Sequence, residues 1–126
     1  MKLDRINFDH FMIEVKDIIK PEHIALLNPN MQVYYKLGHI YLALYVFNSK
    51  LTVEFAINTG KKNEGDWVGK IIEDAKKSGM TSIIFLTAEG NTSVNQIAHK
   101  IGAKEEKRIE NYYSTGETCI QYELSL

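Results

Sequence analysis

The sequence lacks the features that tie a chain to a membrane, a metal or a nucleic acid. Its single cysteine, Cys119, has no partner for an internal disulfide, and its four histidines are scattered without the spacing of a zinc site. Fifteen basic and sixteen acidic residues leave a net charge of -1, which gives no bulk attraction to nucleic acid or acidic lipid. The apolar runs are far shorter than the ~18 residues of a membrane span. These absences predict a soluble, cytoplasmic protein with no metal, and a length of 126 residues predicts one domain over 1–126.

The motifs of several common enzyme classes are also missing. The chain has no Gly-x-x-x-x-Gly-Lys-Ser/Thr loop and no Gly-x-Gly-x-x-Gly turn, which are the phosphate-binding motifs of the usual nucleotide folds. It has no Gly-x-Ser-x-Gly nucleophile elbow, and no histidine lies near Cys119 in the sequence. Serine hydrolases of that type and the standard nucleotide-binding folds are therefore excluded.

Two short helices are predicted in the N-terminal quarter, the only part of the chain that contains proline. Apolar residues recur at steps of three and four and predict a helix over 9–19 with Asp9 as its N-cap. Pro21 ends this helix and suits the start of a second one over 22–27. A short strand over 2–7 is predicted before them.

The rest of the sequence predicts six strands and two helices. Runs of β-branched and aromatic residues predict strands over 31–35, 40–47, 51–58, 82–88, 104–113 and 118–125. Helical periodicity predicts one helix that ends at Gly79 and another that begins near Asn91 and ends at Gly102. The predicted order is β-α-α-β-β-β-α-β-α-β-β, a mixed α/β fold. One core is expected, formed by Ile57, Ile84, Phe85, Val94, Ile97 and Ile120.

The element order and the last third of the chain resemble the GNAT superfamily of acyl-CoA-dependent N-acetyltransferases. The resemblance is best over 51–126 and sharpest in the apolar run 83–88, in Asn91, and in the helix end at 100–103. The segments 90–93 and 101–103 are also similar to small GNAT-like proteins of tailed phages. The resemblance implies a GNAT-like mixed sheet, a single acyltransferase domain, and transfer of an acetyl group from acetyl-CoA to an amine of unknown identity.

The resemblance also implies where acetyl-CoA binds. The pantetheine arm would pair with the open strand edge at Phe55, Ala56 and Ile57, and Asn91 would also face that arm. The pyrophosphate would lie at the next helix N-terminus, near Lys61, Lys62 and Gly65. Two neighbouring residues have alternative roles, because Asp66 can cap the helix itself and Trp67 can stack on adenine or pack in the core.

The chemistry of such a transferase requires a proton acceptor for the amine and a proton donor for the leaving thiolate. Ala98 stands where the family carries its tyrosine acid, so Tyr112 or Tyr113 would have to replace it. Glu54 is the best-placed base on the strand before the loop. Each of the three has a structural alternative: Glu54 as a solvated strand charge, and the tyrosines as packing residues of the sheet.

Two functions follow from this pattern. The first is an N-acetyltransferase whose partners are acyl-CoA and an amine acceptor. The second is a catalytically inactive GNAT-fold protein that acts as a binding or virion-associated phage protein. The resemblance to phage proteins leaves open a homodimer, or a virion or host protein as partner.

Overall fold

Seven strands pair into one sheet with helices on both faces in the computed structural model, which describes residues 3–60 and 66–126. The strands are β1 (Leu3–Ile6), β2 (Val33–Leu37), β3 (Ile40–Phe47), β4 (Lys50–Asn58), β5 (Ser82–Ala88), β6 (Lys104–Ile109) and β7 (Cys119–Ser125). The helices are α1 (Phe8–Val15), α2 (Pro21–Ile24), α3 (Trp67–Lys77) and α4 (Thr92–Lys100). Within the described residues, none of these helices is long and apolar enough to cross a membrane. The order along the chain is the predicted one, which confirms the mixed α/β fold class.

Local signals placed several helix ends correctly. The Asp66 Oδ1 accepts a hydrogen bond of 2.8 Å from the N–H of Gly69, so this aspartate is the N-cap of α3. The Asn91 Oδ1 accepts one of 3.3 Å from the N–H of Val94 and caps α4 in the same way. Gly79 has a φ of 78°, the left-handed conformation predicted for the end of α3.

The first two helices differ from their predicted bounds. Asn7, not Asp9, caps α1, because its Oδ1 accepts a hydrogen bond of 2.8 Å from the N–H of His10. The helix ends at Val15, and a turn bonded to the Val15 carbonyl carries Ile19 back into the core. The pattern of apolar residues therefore predicted a longer helix than the one in the structure. The second helix, α2, is only four residues long and ends before the predicted residue 27.

The strand predicted over 104–113 is shorter than expected. It ends at Ile109, and Asn111 takes a φ of 54°, a left-handed conformation that asparagine tolerates better than most residues. The chain leaves the sheet there. Tyr112 and Tyr113 consequently belong to the connection 110–118 between β6 and β7. Their side chains therefore do not have to follow the alternating directions of a strand.

The strand order is β1-β2-β3-β4-β5-β7-β6. Every neighbouring pair is antiparallel except β4 and β5, which are parallel. Their pairing stops at Val53 with Phe85, although β4 continues to Asn58 and β5 to Ala88. The two strands therefore part at their carboxyl ends and leave a gap in the middle of the sheet.

The sheet separates two apolar layers. The layer against α3 and α4 includes Val53, Ile71, Ile83, Phe85, Ala98, Ile120 and Tyr122. The layer against α1 includes Phe11, Val15, Ile19, Tyr34, Tyr41, Ala43 and Phe55. Both layers are built from alternate residues of the same central strands, as a sheet covered on both faces requires.

The prediction of a single core is wrong because its members lie on both sides of the sheet. Phe85 and Ile120 are buried against α3 and α4, with Ile97 packed beside them, whereas Ile57 packs into the α1 layer. Ile84 and Val94 are only partly buried. The most deeply buried side chains are instead Ile83 on β5 and Ala98 on α4, with exposed fractions of 0% and 2%.

Replacing Ile83 by alanine should lower the free energy of unfolding by about 2–5 kcal/mol, because it leaves a cavity under α3 and α4. The matched control is Ile84→Ala on the same strand, which should lower it by no more than about 1 kcal/mol. Urea unfolding of both variants measures the difference. Equal losses would contradict the assignment of the two neighbours to different environments.

Candidate active site

A cleft of about 590 Å³ opens where β4 and β5 part. Its walls come from both faces of the sheet, because the starts of α3 and α4 line one side and α2 with the connection 110–118 lines the other. Residues 55–57 and 86–88 face each other across the gap without sheet pairing between them in the described structure. Alternate backbone N–H and C=O groups of such strand edges point into the gap, so an extended ligand could pair with them.

Glu54 is an extra residue in β4. Ala43 of β3 pairs with Phe55 and Leu44 pairs with Val53, which leaves Glu54 between them as a β-bulge. A bulge bends its strand and interrupts the alternation of side chains. Val53 accordingly packs against α3 and α4, while Phe55 packs on the α1 side. The bulge thus re-aims the side chains of β4 at the point where the strand leaves β5.

The Glu54 carboxylate is buried in the cleft wall and held by Tyr112. The Tyr112 hydroxyl donates a hydrogen bond of 2.7 Å to Glu54 Oε1, and only 6% of Glu54 is exposed. Burial raises the pKa of the Glu54 carboxyl above its ordinary value of 4.5, and the Tyr112 hydrogen bond opposes part of that rise. Burial and the nearby carboxylate raise the pKa of Tyr112 as well. The predicted base is therefore buried, not a solvated strand charge.

Tyr113 lines the cleft beside the imidazole of His23. Their ring centroids are 5.0 Å apart, and Tyr113 also belongs to a buried cluster with Cys119. Burial raises the pKa values of Tyr113 and Cys119 and lowers the pKa of His23, so burial favours the neutral form of all three.

Residues 3–60 and 66–126 hold no group of three or more histidine, cysteine or acidic side chains that could bind a metal ion.

The residues predicted to contact acetyl-CoA divide into two sets. Phe55, Ala56, Ile57 and Asn91 all line the cleft. Lys61, Lys62 and Gly65 lie outside the described residues. Asn91 also caps α4, so its position at the cleft mouth is fixed by the helix whatever its other role.

The start of α3 and the middle of α4 carry two further residues considered in the sequence, Trp67 and Ala98. Trp67 is 9% exposed and packs in the core layer under α3 and α4, which is one of the two roles considered for it. It also lines the cleft. Ala98 is buried in that same layer. The ring of its neighbour His99 packs edge-on against Tyr122 at 5.6 Å. Neither Ala98 nor His99 is among the described residues that line the cleft.

Sequence reasoning missed the side chains that fix the loop between β5 and α4. Asn95 Nδ2 donates to the carbonyl oxygens of Ala88, Glu89 and Asn91 at 3.3, 3.2 and 2.8 Å. Its Oδ1 accepts a hydrogen bond of 2.7 Å from the Tyr122 hydroxyl. No local pattern distinguishes this asparagine from an exposed helix residue, because its partners lie on another strand and in a loop.

Glu117 and His23 were missed for the same reason. The Glu117 carboxylate lines the cleft and accepts a hydrogen bond of 3.1 Å from the N–H of Gly90. A Cβ at Gly90 would lie 2.7 Å from that carboxylate oxygen, so glycine permits the close approach. His23 follows Pro21 in a four-residue helix, and nothing in the sequence indicates that this helix covers a cleft.

Three solved structures with a similar fold are acetyltransferases. An IAA acetyltransferase from Bacillus cereus is 16% identical with a TM-score of 0.70, covering 99% of this chain and 99% of its own. The ribosomal-protein-S18-alanine N-acetyltransferase from Escherichia coli is 15% identical with a TM-score of 0.71, covering 98% and 92%. A GNAT family acetyltransferase from Elizabethkingia anophelis, solved with acetyl-CoA bound, is 14% identical with a TM-score of 0.69, covering 99% and 97%.

These identities are low, so the likeness shows the fold alone. No family model matches the sequence, and no curated protein matches it either. The chain has the fold of the GNAT acetyltransferases, as the resemblance in its sequence implied.

Replacing Glu54 by glutamine should change how stability depends on pH. The folded-state pKa of Glu54 is raised, so its contribution to stability is fully present below pH 4.5 and is lost as pH rises through the folded-state value. The melting temperature of Glu54→Gln relative to wild type should therefore increase between pH 4 and pH 7. Glu73→Gln is the control of opposite sign, because a hydrogen bond from Lys77 lowers the pKa of Glu73. A constant difference across this pH range would show that Glu54 is not destabilised by ionisation.

Proposed function

We propose that the protein is an N-acetyltransferase that moves an acetyl group from acetyl-CoA to a primary amine. The observation that carries the proposal is the parting of β4 from β5 around a cleft that contains a buried carboxylate. The shared fold supports it, because similar folds belong to acetyltransferases and one of them was solved with acetyl-CoA bound.

The cleft fits the pantetheine arm of acetyl-CoA. That arm is narrow and carries amides, and the facing strand edges at 55–57 and 86–88 offer backbone donors and acceptors along an apolar gap. Phe55, Ala56 and Ile57 would hold it from β4, and Asn91 from the start of α4. Lys61, Lys62 and Gly65 would take the pyrophosphate. When bound, acetyl-CoA supplies the acetyl group as a thioester.

Glu54 is proposed as the proton acceptor. A primary alkyl amine is protonated near neutral pH, since its pKa resembles that of lysine at about 10.4. It must lose one proton before its nitrogen can attack a carbonyl carbon. A carboxylate in a dry site, with its pKa raised toward neutrality, accepts that proton better than a solvated one.

Tyr112 fits a positioning role better than the role of acid. Its hydroxyl already donates to Glu54, and its raised pKa makes loss of its proton to a thiolate unfavourable. A thiol has a pKa of about 8.5, so the thiolate can leave and take its proton from water. The nitrogen–carbon bond forms, the carbon–sulfur bond breaks, and an ammonium and a thioester become an amide, a thiol and one released proton. Tyr113, at the cleft wall, is the remaining candidate donor.

A backbone N–H near Ile57 is proposed to stabilise the oxyanion that develops on the thioester carbonyl. Strand-edge N–H groups are rigid donors, and their value increases in a site that excludes water. The bulge at Glu54 fixes which of these N–H groups turn toward the gap.

The second predicted function, an inactive binding or virion-associated protein, stays a prediction, as do a homodimer, a phage origin and a cytoplasmic location. The observation in its favour is Ala98, which is buried and cannot donate a proton. Binding and turnover separate the two functions, because a binding protein can retain the cleft without the chemistry.

Titration calorimetry should detect acetyl-CoA binding to the wild-type protein, and the ligand should raise its melting temperature. At one hundred times its dissociation constant, a ligand adds about 2.7 kcal/mol to the free energy of unfolding. Asn91→Asp is the variant for comparison, because it keeps an oxygen that can cap α4 but adds a negative charge at the cleft mouth. This charge should weaken binding of acetyl-CoA, which carries phosphate groups. Absence of both heat and stabilisation at millimolar acetyl-CoA would refute the proposed function.

Acetylation kinetics should depend on Glu54 and Tyr112 in different ways. Glu54→Gln should lower kcat by about 100-fold or more and leave acetyl-CoA affinity unchanged, since it removes the base only. Tyr112→Phe removes the hydrogen bond that lowers the pKa of Glu54, so the acid limb of the pH–rate profile should move to higher pH. Mass spectrometry of the acetylated amine gives both rates. A Tyr112→Phe profile shifted to lower pH would contradict the role given to this pair.

A further inference from the structure

Three aromatic rings, those of Phe55, His23 and Tyr113, line the α1 side of the cleft, and the ring of Tyr112 packs against Tyr113 without lining the cleft. Phe55 and His23 have ring centroids 5.2 Å apart, His23 and Tyr113 are 5.0 Å apart, and Tyr113 and Tyr112 are 5.1 Å apart. This row of rings ends at the proposed base, because Tyr112 donates its 2.7 Å hydrogen bond to Glu54. We call these four residues the ring wall.

The ring wall has apolar neighbours where the cleft opens toward α1 and α2. Ile18, Ile19 and Ile57 line the same cleft, and Ile18 is 48% exposed. An exposed isoleucine beside a row of rings extends the apolar surface from the buried carboxylate to the mouth. A bound molecule with an apolar body would therefore remain in contact with apolar side chains along its length.

Charge in the described walls of the cleft is sparse. Three charged side chains line it: Lys20 on the α2 side, Glu54 inside, and Glu117, whose carboxylate accepts the Gly90 N–H. Burial lowers the pKa of His23, so its ring favours the neutral form. The wall thus offers one buried carboxylate for one ammonium group and no cluster of acids for a second.

We infer that the acceptor is a monoamine whose single ammonium group meets Glu54 while an apolar, ring-sized group packs against the ring wall. The inference rests on the proposed function and names its substrate class. Aromatic faces attract a cation and bury apolar surface, so both parts of such a molecule gain from the same wall. A polyamine or a lysine-rich peptide would bring further ammonium groups near Lys20 with no second buried carboxylate in the described walls to pair with them, which disfavours both.

Three amines test the substrate class directly. Phenethylamine carries one ammonium and one ring, n-butylamine lacks the ring, and spermidine carries several cations. We expect kcat/KM for phenethylamine to exceed that of the other two by about tenfold or more, with the difference residing mainly in KM. Equal values for phenethylamine and n-butylamine, or a preference for spermidine, would overturn the inference.

Variants of His23 test the ring wall itself. His23→Ala removes the central ring and should raise KM for phenethylamine by about tenfold while leaving acetyl-CoA affinity and KM for n-butylamine unchanged. His23→Phe restores a ring and should recover most of the loss. Ile24→Ala, the adjacent exposed residue of α2, is the matched control and should change nothing. Thermal melts confirm that each variant is folded. A KM unaffected by His23→Ala in the folded protein would overturn the ring wall as the binding surface.

Failure of this inference and failure of the proposed function give different results. In the absence of acetyl-CoA, binding of phenethylamine can be measured from changes in the NMR chemical shifts of the His23 ring. If acetyl-CoA does not bind, the proposed function and the substrate assignment both fail. If acetyl-CoA binds and n-butylamine or spermidine is acetylated as well as phenethylamine, only the substrate class is wrong.

Discussion

The β-bulge at Glu54 is the constraint on which the candidate site depends. One extra residue between Val53 and Phe55 shifts the register against β3, and beyond it β4 no longer pairs with β5. The same residue turns Phe55 to the α1 side, where its ring meets His23. The gap, the buried carboxylate and the ring wall thus share one origin, because all three require β4 to leave regular pairing at this position.

Local sequence signals predicted the element order but not the bulge. Caps such as Asp66, Asn91 and Gly79 act within a few residues, so a single segment contains all the information they need. The strand 51–58, by contrast, alternates so regularly that Val53, Phe55 and Ile57 are expected on one face. The structure divides them between two layers. A bulge is a mismatch between two strands, and one strand's pattern does not reveal it.

The chemical pair of the site also depends on distant parts of the chain. Glu54 and Tyr112 were both predicted as candidate residues, with Tyr113 as the alternative, but 58 positions separate the pair that meets. Their contact requires β6 to end early, which follows from the left-handed conformation at Asn111. Asn95 and His23 gave no signal at all, since each acts through partners on other elements. The sequence pattern thus identified the residue types, and the topology alone decided which of them meet.

Burial raises the pKa of Glu54, and this has a consequence for the proposed reaction with an ammonium substrate. Desolvation by itself opposes the charged carboxylate. An ammonium group beside Glu54 would lower the pKa again, because an opposite charge nearby favours ionisation. The base would therefore be most fully ionised when a substrate with a proton to lose is bound. Once that proton has been transferred, both groups are neutral, which suits an apolar wall better than the ion pair does. The burial that disfavours the charged form of Glu54 would then also favour the proton transfer on which the proposed reaction depends.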